Sequence, residues 1–309
     1  MKTVDIIVPV YNEEEGLLLF YEETKKVLIS CEAYQFRFLF VNDGSSDGSL
    51  TVLKDLSEKE GIKYLSFSRN FGKEAAIYAG LKAASSDLVI LMDADLQHPP
   101  ALIPEMLKAV GEEGYGAAGA KRKAGFFSRL FTGINNRLSS VKLQKGATDY
   151  MCMSRAFVDA VLKLSETQRF SKGLFAWVGF RVKWLDYEEG PRRIGKSKWS
   201  FGKLFNYATD GLTSFSTVPL RIVTVAGAIV CLLAFIYILI TLIQTWIFGI
   251  DVPGYVTTLV VLLFLGGVII LAVGILGEYI GRIYLESKDR PLYILEETNL
   301  DENDKKKDV

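Results

Sequence analysis

The sequence has little of the chemistry on which several common enzyme classes depend. Its single histidine, His98, excludes multi-histidine metal sites, and its three cysteines, none in a CxxC spacing, argue against a disulfide scaffold or a cysteine zinc site. Neither GxGxxG nor GxxxxGK followed by Ser or Thr occurs, so dinucleotide-dependent oxidoreductases and P-loop enzymes lose their main support. The 36 Lys and Arg residues balance 36 Asp and Glu residues, which argues against nucleic acid as a partner.

Charge is missing from one long stretch near the carboxyl end. In the segment Ile222–Gly277, Asp251 is the only charged residue. Two apolar runs, 222–248 and 253–277, are separated by a turn-rich break, and each is long enough to cross roughly 30 Å of hydrocarbon. The alternative, two buried helices of a soluble core, requires a polar face that neither run has. The sequence therefore predicts a hairpin of two transmembrane helices.

Basic residues lie on both outer flanks of this hairpin and are absent from its connecting loop. The positive-inside rule then places both ends in the cytoplasm, and the lack of an apolar signal region at Met1–Asp5 agrees with a cytoplasmic first domain. We expect a cytoplasmic domain over 1–218, a transmembrane hairpin over 219–285 and a cytoplasmic polar tail over 286–309, in a multi-pass protein of the cell (inner or plasma) membrane. Within the tail, the charged segment Glu296–Val309 is expected to be disordered.

Apolar strands alternate with helical stretches over the first 120 residues. This alternation predicts an α/β fold with a mostly parallel sheet that is covered on both faces. Such sheets bind ligands beyond the carboxyl ends of their strands, so the chemistry is expected in the loops after Val10, Val41 and Met92. The predicted strands are 4–10, 36–41, 63–67 and 87–92, and the predicted helices are 13–29, 49–60 and 73–84.

The first two of these loops carry residues that suit a nucleoside. Tyr11 can stack on a flat base, Glu13 can accept a hydrogen bond from base or ribose, and Asp43 can accept one from a nucleobase N–H. A structural alternative stays open in both loops, because Asn12 and Asp47 are typical helix caps and Glu13 would favour a helix N-terminus.

The loop after the fourth strand contains two carboxylates separated by one small residue, Asp93 and Asp95. At the end of a buried strand such carboxylates repel each other without a counter-ion, and both can face one hard cation. Gln97 adds a carbonyl oxygen two residues later. We interpret this loop as a site for a divalent metal ion that neutralises a diphosphate. His98 is expected to make local hydrogen bonds rather than to act as a base.

Four motifs, VPVYNEE, VNDGSSD, SRNFGKEAAI and DADLQHPP, resemble in order and spacing those of inverting GT-A glycosyltransferases. The resemblance is to the polyisoprenyl-phosphate glycosyltransferases, which include dolichol-phosphate mannose synthases and the bacterial undecaprenyl-phosphate glucosyl- and N-acetylglucosaminyltransferases. It covers residues 1 to about 285, including the paired C-terminal helices. It implies a Rossmann-like GT-A catalytic domain followed by two transmembrane helices.

The resemblance also implies roles for particular residues. Asp93, Asp95 and Gln97 would hold Mg²⁺ or Mn²⁺, and Asp95 would thereby be catalytic. Asp149, in the acceptor-side motif Thr148–Tyr150, would either act as a catalytic base or orient the acceptor. The residues implied in donor binding are Pro9, Tyr11, Glu13, Asp43, Asp93, Ala94, Asp95, Gln97, Arg122, Arg192 and Lys198.

The acidic motif departs from the pattern of related bacterial enzymes at one position. Met151 stands where those enzymes often have arginine, which leaves the contacts near Asp149 open. The basic loop Pro191–Lys198 has two interpretations: a positive-inside anchor on anionic headgroups, or a loop that closes over phosphates. Its Gly195 hinge favours the second. Candidate interfacial helices are 126–131, 136–145 and 199–207.

The implied reaction moves a hexose, glucose or N-acetylglucosamine, from a nucleotide sugar, preferably a UDP-hexose, to undecaprenyl or another polyprenyl phosphate at the cytoplasmic membrane face. The acceptor phosphate is largely deprotonated at neutral pH, so its oxygen can attack the anomeric carbon, with inversion, without a strong base. Small residues in the second apolar run suit close helix packing and predict a homo-oligomer. A flippase and a downstream transferase are the further partners expected.

Two other functions stay open. A processive polysaccharide synthase also has a GT-A domain, but such enzymes carry a QxxRW motif and more membrane spans, and this sequence has no QxxRW. The second is a non-catalytic membrane scaffold with a degenerate transferase domain. The intact DxDxQ pattern and the basic loop count against that alternative.

Overall fold

The computed structural model describes residues 1–123, 125, 129, 132–133, 135–137, 139, 141–188, 218–248 and 254–300. Its strands are β1 (Lys2–Val10), β2 (Tyr34–Asn42), β3 (Lys63–Phe67), β4 (Leu88–Leu91), β5 (Ala117–Arg122), β6 (Ala147–Ser154), β7 (Val182–Tyr187) and β8 (Leu295–Thr298). Its helices are α1 (Glu14–Leu28), α2 (Ser49–Glu60), α3 (Lys73–Ala83), α4 (Ile103–Gly111), α5 (Arg155–Leu162), α6 (Ser171–Trp177), α7 (Val218–Phe248) and α8 (Tyr255–Ser287).

The strands form one sheet in the order β7-β5-β6-β4-β1-β2-β3-β8. The central run β4-β1-β2-β3 is parallel throughout, as is the pair β5–β7, whereas β6 is antiparallel to both of its neighbours and β8 is antiparallel to β3. The predicted α/β fold with a mostly parallel sheet is confirmed. All four predicted strands and all three predicted helices form, with ends within two residues of the expected positions.

The core lies on both faces of this sheet. Alternate residues of a strand point to opposite faces, and the neighbours Ile6 and Ile7 accordingly belong to two different buried clusters. Phe20 of α1 packs in the first cluster, and Ala76 of α3 and Phe157 of α5 pack in the second. Helices cover both faces of the sheet, so a ligand can reach it only at the ends of its strands, where the polar residues lie.

Close packing of α3 on the sheet fixes the start of that helix. A Cβ atom at Gly80 would lie 2.3 Å from the Ile7 side chain, so only glycine allows α3 to approach β1 at this distance. The amino end of α3 is therefore held beside the carboxyl ends of the strands. Lys73 is the first residue of this helix.

The two apolar runs form the long helices α7 and α8, of 31 and 33 residues. Among the described residues, the segment Phe264–Ser287 of α8 is long and apolar enough to cross a membrane, and α7 contributes a shorter apolar segment, Ile222–Tyr237. Leu271 of α8 is 64% exposed, as are many large apolar side chains on both helices to a similar degree. An apolar surface of this extent requires an apolar environment.

The expectation of a disordered tail is wrong for residues 296–300. The chain returns from α8 to the sheet, where β8 pairs with β3 and becomes the edge strand. Leu300 is buried, and the ring of Tyr293 stacks on Phe67 at a centroid distance of 4.8 Å. These tertiary contacts, rather than the composition of the segment, order it. Residues 301–309 lie outside the described part of the chain.

Candidate active site

Hydrogen bonds lock the loops that follow β1 and β2 to each other. The side-chain Oδ1 of Asn12, a residue in the left-handed region with φ 53°, accepts from the Ser46 N–H at 2.8 Å. Asn12 therefore does not cap α1, and that structural alternative is wrong. Asp47 does serve helix starts, because its carboxylate accepts from the first N–H of α1 at Glu14 (3.2 Å) and of α2 at Ser49 (3.0 Å).

The residues predicted to hold the nucleoside lie at the carboxyl ends of β1 and β2. Tyr11 follows β1 and is 38% exposed, and Pro9 pairs with Val41 in the parallel register of β1 and β2. The backbone N–H of Glu13 donates to Ser49 Oγ at 2.9 Å, so the start of α1 is fixed against α2. The structure thus brings Pro9, Tyr11 and Glu13 to the same end of the sheet.

Asp43 has a structural task at the tip of β2. The residue is 3% exposed, and its carboxylate accepts hydrogen bonds from the backbone N–H groups of Phe71 (2.6 Å) and Gly72 (2.9 Å). Burial raises the pKa of Asp43 in spite of these donors. The bonds draw the loop before α3 onto the end of β2, close to Gly44, where a Cβ atom would lie 2.2 Å from the Arg69 backbone. A carboxylate has further lone pairs, so this task leaves room for a base N–H.

The loop after β4 presents the two predicted metal carboxylates. Asp93 and Asp95 are both partly exposed, while Ala94 between them is buried. The Gln97 N–H donates to Asp95 Oδ1 at 3.1 Å, and Leu96 adopts a left-handed φ of 58° to allow this tight turn. Positive φ at a non-glycine residue costs energy and is concentrated at functional sites. The turn brings Asp95 and Gln97 together on one short loop.

His98 holds the loop after β4 in place through two contacts. Its Nδ1 accepts from the Asp93 N–H at 3.1 Å, and its buried ring stacks on Tyr150 with centroids 5.1 Å apart. Burial lowers the pKa of His98, and an accepting Nδ1 requires the neutral ring. The prediction that His98 makes local hydrogen bonds is confirmed.

Lys73 joins the loop after β4, the predicted metal loop (93–98), to the predicted acceptor-side motif (148–150). Its Nζ lies 2.7 Å from Asp93 Oδ1 and 2.8 Å from Asp149 Oδ2. The strand register explains why Asp93 and Asp149 lie close together. Strand β6 runs antiparallel to β4 with Leu91 opposite Met151. Asp93 lies two residues after Leu91 and Asp149 two residues before Met151, so both lie beyond the carboxyl end of β4. The Lys73 side chain is 43% exposed and that of Asp149 is 18% exposed, so solutes can reach the bridge.

This bridge sets the charge state of the cluster. Although burial alone would raise the pKa of Asp149, the ammonium groups of Lys73 and Lys172 hold that pKa well below its usual range. Burial likewise opposes the charge on Lys73, but Asp149 and Asp93 raise the pKa of the amine. Lys73, Asp93 and Asp149 are therefore ionised at neutral pH.

A third carboxylate of this cluster belongs to Glu74, the residue after Lys73. Glu74 accepts hydrogen bonds from the Ser171 N–H at 3.0 Å and from the Ser171 hydroxyl. Burial, followed by the nearby Asp149 carboxylate, raises the pKa of Glu74 to about 7. Lys172, the next residue of α6, has its Nζ 3.9 Å from Asp149 Oδ1. The amino ends of α3 and α6 thus meet at Asp149.

Sequence reasoning missed four residues of this cluster: Lys73, Glu74, Ser171 and Lys172. The first two lie inside the motif SRNFGKEAAI, which was recognised without a role for its charged residues. Ser171 and Lys172 belong to no recognised motif, and only the packing of α6 brings them to Asp149.

The remaining predicted residues are only partly described. Arg122 ends β5 with an exposed side chain, and its N–H donates to Gly146 O at 2.9 Å. Met151 is buried in the second core cluster, so the position at which the resemblance implied arginine contributes packing here. Arg192, Lys198 and the helix predicted over 199–207 lie outside the described residues, as does most of 126–131. The helix predicted over 136–145 is wrong over 141–145, because these residues are not helical and the Asn136 side chain bonds to both the N–H and the carbonyl of Leu143.

The oxygen donors of the loop after β4 suit a divalent ion that is shared with a substrate. Within the part of the chain that the structure describes, no three His, Cys, Asp or Glu side chains form a complete metal cage. Mg²⁺ in phosphate-handling enzymes is bound by one or two carboxylates together with substrate phosphates. Asp95 and Gln97, with Asp93 beside them, fit such a partial set.

Comparison with known proteins agrees with this geometry. Residues 5–158 match the family described as Glycosyl transferase family 2, and residues 218–283 match the GtrB C-terminal hairpin. The crystal structure of mannosyl-3-phosphoglycerate synthase from Rubrobacter xylanophilus is similar with a TM-score of 0.51 at 17% identity, covering 74% of this chain and 75% of that one. At this identity the likeness shows the fold alone.

Two sequence relatives span nearly the whole chain. CsbB of Bacillus subtilis, named only provisionally as a glycosyltransferase, is 46% identical over an alignment of 309 positions that covers 97% of this chain and 93% of that protein. The bactoprenol glucosyl transferase of Shigella phage SfV is 40% identical over an alignment of 301 positions that covers 94% of this chain and 97% of the phage protein. The chain therefore belongs to glycosyl transferase family 2, as its resemblance to the GT-A polyisoprenyl-phosphate glycosyltransferases predicted, and it carries the GtrB C-terminal hairpin.

Proposed function

We propose that the protein transfers a hexose, with glucose preferred, from a UDP-sugar to a polyprenyl phosphate at the cytoplasmic face of the membrane, with inversion at the anomeric carbon. The observation that carries this proposal is the Lys73 bridge, through which Asp93 of the metal loop and Asp149 of the acceptor-side motif share one amine. Donor and acceptor chemistry then meet at one edge of the sheet. Relatives named bactoprenol glucosyl transferase favour glucose and a polyprenyl acceptor.

The donor is bound across the ends of β1, β2 and β4. Tyr11 stacks on the base, Glu13 and Asp43 accept hydrogen bonds from the nucleoside, and Pro9 shapes the floor beneath it. Ala94 is small enough to let the diphosphate approach the loop. A Mg²⁺ or Mn²⁺ ion, when held by Asp95 and Gln97 with Asp93 in support, offsets the charge of the leaving diphosphate.

The acceptor phosphate oxygen attacks the anomeric carbon in line. A phosphate monoester is largely deprotonated at neutral pH, so it needs no strong base. The lowered pKa of Asp149 makes that carboxylate a weak base, which favours an orienting role over a catalytic-base role. Asp149 holds Lys73 and Lys172 where two anions must approach each other, and Arg122, Arg192 and Lys198 add positive charge for the phosphates.

The membrane arrangement follows from the path of the chain. The catalytic domain precedes α7, and β8 returns to that domain after α8. Both ends of the hairpin then lie on one side of the bilayer, so an even number of crossings is required. The Phe264–Ser287 segment of α8 has the length and composition of a span, which supports the proposal that α7 crosses as well. The basic flanks favour the cytoplasm for the catalytic side.

Association with other proteins is a separate part of the proposal. Gly266, Gly267, Gly274 and Gly277 of α8 would allow a second copy to pack closely in the bilayer. A strictly monomeric mass of the detergent-solubilised particle would contradict this homo-oligomer. A flippase and a downstream transferase are the partners that a lipid-linked hexose requires, because the sugar must leave the cytoplasmic face and be transferred onwards.

The test uses purified full-length protein with Mn²⁺, undecaprenyl phosphate and a panel of radiolabelled UDP- and GDP-sugars, and follows label into the organic phase. We expect transfer from UDP-glucose, and a loss of about a hundredfold or more in Asp95→Ala, since that residue holds the charge-neutralising ion. Asp55→Ala removes an exposed carboxylate of α2 and is the matched control.

The outcomes separate the competing functions. Mass spectrometry of the lipid product distinguishes a single hexose from a growing polymer, which would indicate a processive synthase. No transfer from any donor by folded protein, together with full cellular function of Asp95→Ala, would favour the non-catalytic scaffold.

A further inference from the structure

The cytoplasmic end of α8 is bonded to a loop of the catalytic domain that is distant in sequence. The Glu286 carboxylate accepts from the Thr167 N–H at 3.1 and 3.2 Å and from the Thr167 hydroxyl, and Arg282 Nη1 donates to Gln168 Oε1 at 2.9 Å. These partners are 119 and 114 residues apart in the chain. The hairpin is therefore attached to one defined place, the loop 163–170 between α5 and α6.

The same loop leads directly into the active-site cluster. Ser171 follows it and donates to Glu74 through both its N–H and its hydroxyl, and Lys172 lies 3.9 Å from Asp149. Thr167 and Ser171 are four residues apart, so at most about 14 Å of chain separates the hairpin contact from the cluster.

The middle of the loop is also fixed, so a displacement at one end reaches the other. The guanidinium of Arg169 lies over the Tyr78 ring at 4.6 Å, and its Nη1 donates to Leu164 O at 2.9 Å. Tyr78 is a residue of α3, the helix that begins with Lys73. The loop is thus clamped between α8 on one side and α3 on the other, with Lys172 at its end.

We propose that Glu286 and Arg282 are positioning residues, which set the place of Lys172 beside Asp149 through the loop 163–170 and thereby tune binding of the membrane-borne acceptor phosphate. This inference rests on the proposed polyprenyl-phosphate reaction. The effect belongs to the acceptor side, because α6 meets Asp149 on β6, whereas the nucleoside residues follow β1 and β2, on the far side of β4 in the sheet.

The experiment measures KM for donor and for acceptor with full-length protein in lipid nanodiscs. In Glu286→Ala we expect the KM for undecaprenyl phosphate to rise about tenfold, as for loss of a hydrogen bond to a charged group, with the donor KM and UDP affinity nearly unchanged. Glu286→Gln keeps an acceptor oxygen for Thr167 and should restore most of the wild-type value. Glu296→Ala, an exposed carboxylate of β8, is the control.

A double variant shows whether the effect passes through Lys172. Lys172→Met should raise the acceptor KM in the same way, and adding Glu286→Ala to it should raise the KM little further, because both changes remove the same contact. Additive effects, an equal rise of both KM values, or no change in Glu286→Ala would overturn the proposal.

Hydrogen exchange gives a readout that does not depend on activity. In Glu286→Ala the amides of 165–173 should exchange faster, including the Ser171 N–H, while those of β1 and β2 stay as in the wild type. Unchanged exchange at Ser171 would overturn the coupling even if no donor supports transfer. Inactivity of the wild type, by contrast, would count against the proposed reaction alone.

Discussion

At the scale of single residues, Lys73 balances two carboxylates that would otherwise repel each other. Asp93 and Asp149 come from different strands, and the amine contacts both at less than 3 Å. A positive group that is already paired costs little to reorganise when a phosphate arrives, since it is held in place before the reaction. Lys73 therefore connects the charge of the metal loop to that of the acceptor motif.

Replacement of this lysine should impair turnover and shift its pH dependence. In Lys73→Met we expect kcat to fall about a hundredfold, the usual effect of removing one preorganised charge from an active site. The pKa of Asp149, which the amine now holds low, should rise, and the acidic limb of the pH–activity profile should move to higher pH. Lys73→Arg keeps the charge and should leave that limb near the wild-type position. If the acidic limb of Lys73→Met stayed at the wild-type pH, the contact with Lys73 would not set the pKa of Asp149.

Glu74 gives the folded protein a pH dependence of its own. Its pKa is raised from 4.5 to about 7, mainly by burial. The folded state therefore binds more protons than the unfolded state between these values, and stability must fall as pH rises through that window, by up to about 3 kcal/mol. Glu74→Gln keeps an acceptor for Ser171 and should abolish this part of the loss. Urea unfolding at pH 5 and pH 8 measures it, and an equal loss in both proteins would refute it.

At the scale of elements, β8 protects the edge of the sheet. Without it, β3 would present a row of unpaired backbone groups, which invites pairing with other chains. Asn299, just after β8, replaces part of that pairing: its Oδ1 accepts from the Tyr64 N–H at 2.7 Å, and its Nδ2 donates to Ile62 O at 2.8 Å. β8 and Asn299, at the end of the described chain, thus complete a sheet whose first three strands lie within residues 2–67.

Loss of the Asn299 amide should destabilise the catalytic domain. Asn299→Ala leaves a backbone donor and a backbone acceptor of the β3 region without these partners, which should lower the free energy of unfolding by about 2 kcal/mol. Glu297→Ala removes the half-exposed ion pair with Lys54 and a 3.3 Å hydrogen bond from the Tyr64 hydroxyl, so it should cost about 1 kcal/mol, less than Asn299→Ala. Chemical denaturation followed by tryptophan fluorescence compares the two variants, and similar small losses would mean that β8 contributes little.

The elements that the sequence could predict are those with a local signal. Short apolar strands between helical stretches identified β1 to β4 and α1 to α3, and strand ends located Asp43, Asp93 and Asp95. β8 reads Leu-Glu-Glu-Thr within a charged tail, and it is a strand only because β3 offers it an edge. Lys73 is bonded to Asp149 across 76 residues, a distance over which no periodicity carries information. What was missed therefore depends on tertiary contacts.

At the scale of the whole molecule, the pairing of β8 with β3 constrains the membrane topology. β3 comes before the hairpin and β8 after it, so the two ends of the hairpin cannot lie on opposite sides of a bilayer. A single crossing by α8 alone would separate them. The hairpin therefore crosses twice or not at all, and the exposed apolar surface of α8 argues for crossing.

Cysteine accessibility in right-side-out membrane vesicles tests this topology. Starting from a chain whose native cysteines are replaced by alanine, Asp251→Cys in the connecting loop should react with a membrane-impermeant maleimide in sealed vesicles. Glu296→Cys, on exposed β8, should react only after permeabilisation, because β8 remains with the cytoplasmic domain. Reaction of both positions in sealed vesicles would mean that β8 does not stay on β3 in the membrane. Protection of both until permeabilisation would mean that the hairpin does not cross, and the domain that carries Asp149 would then need a different contact with the membrane that holds the acceptor.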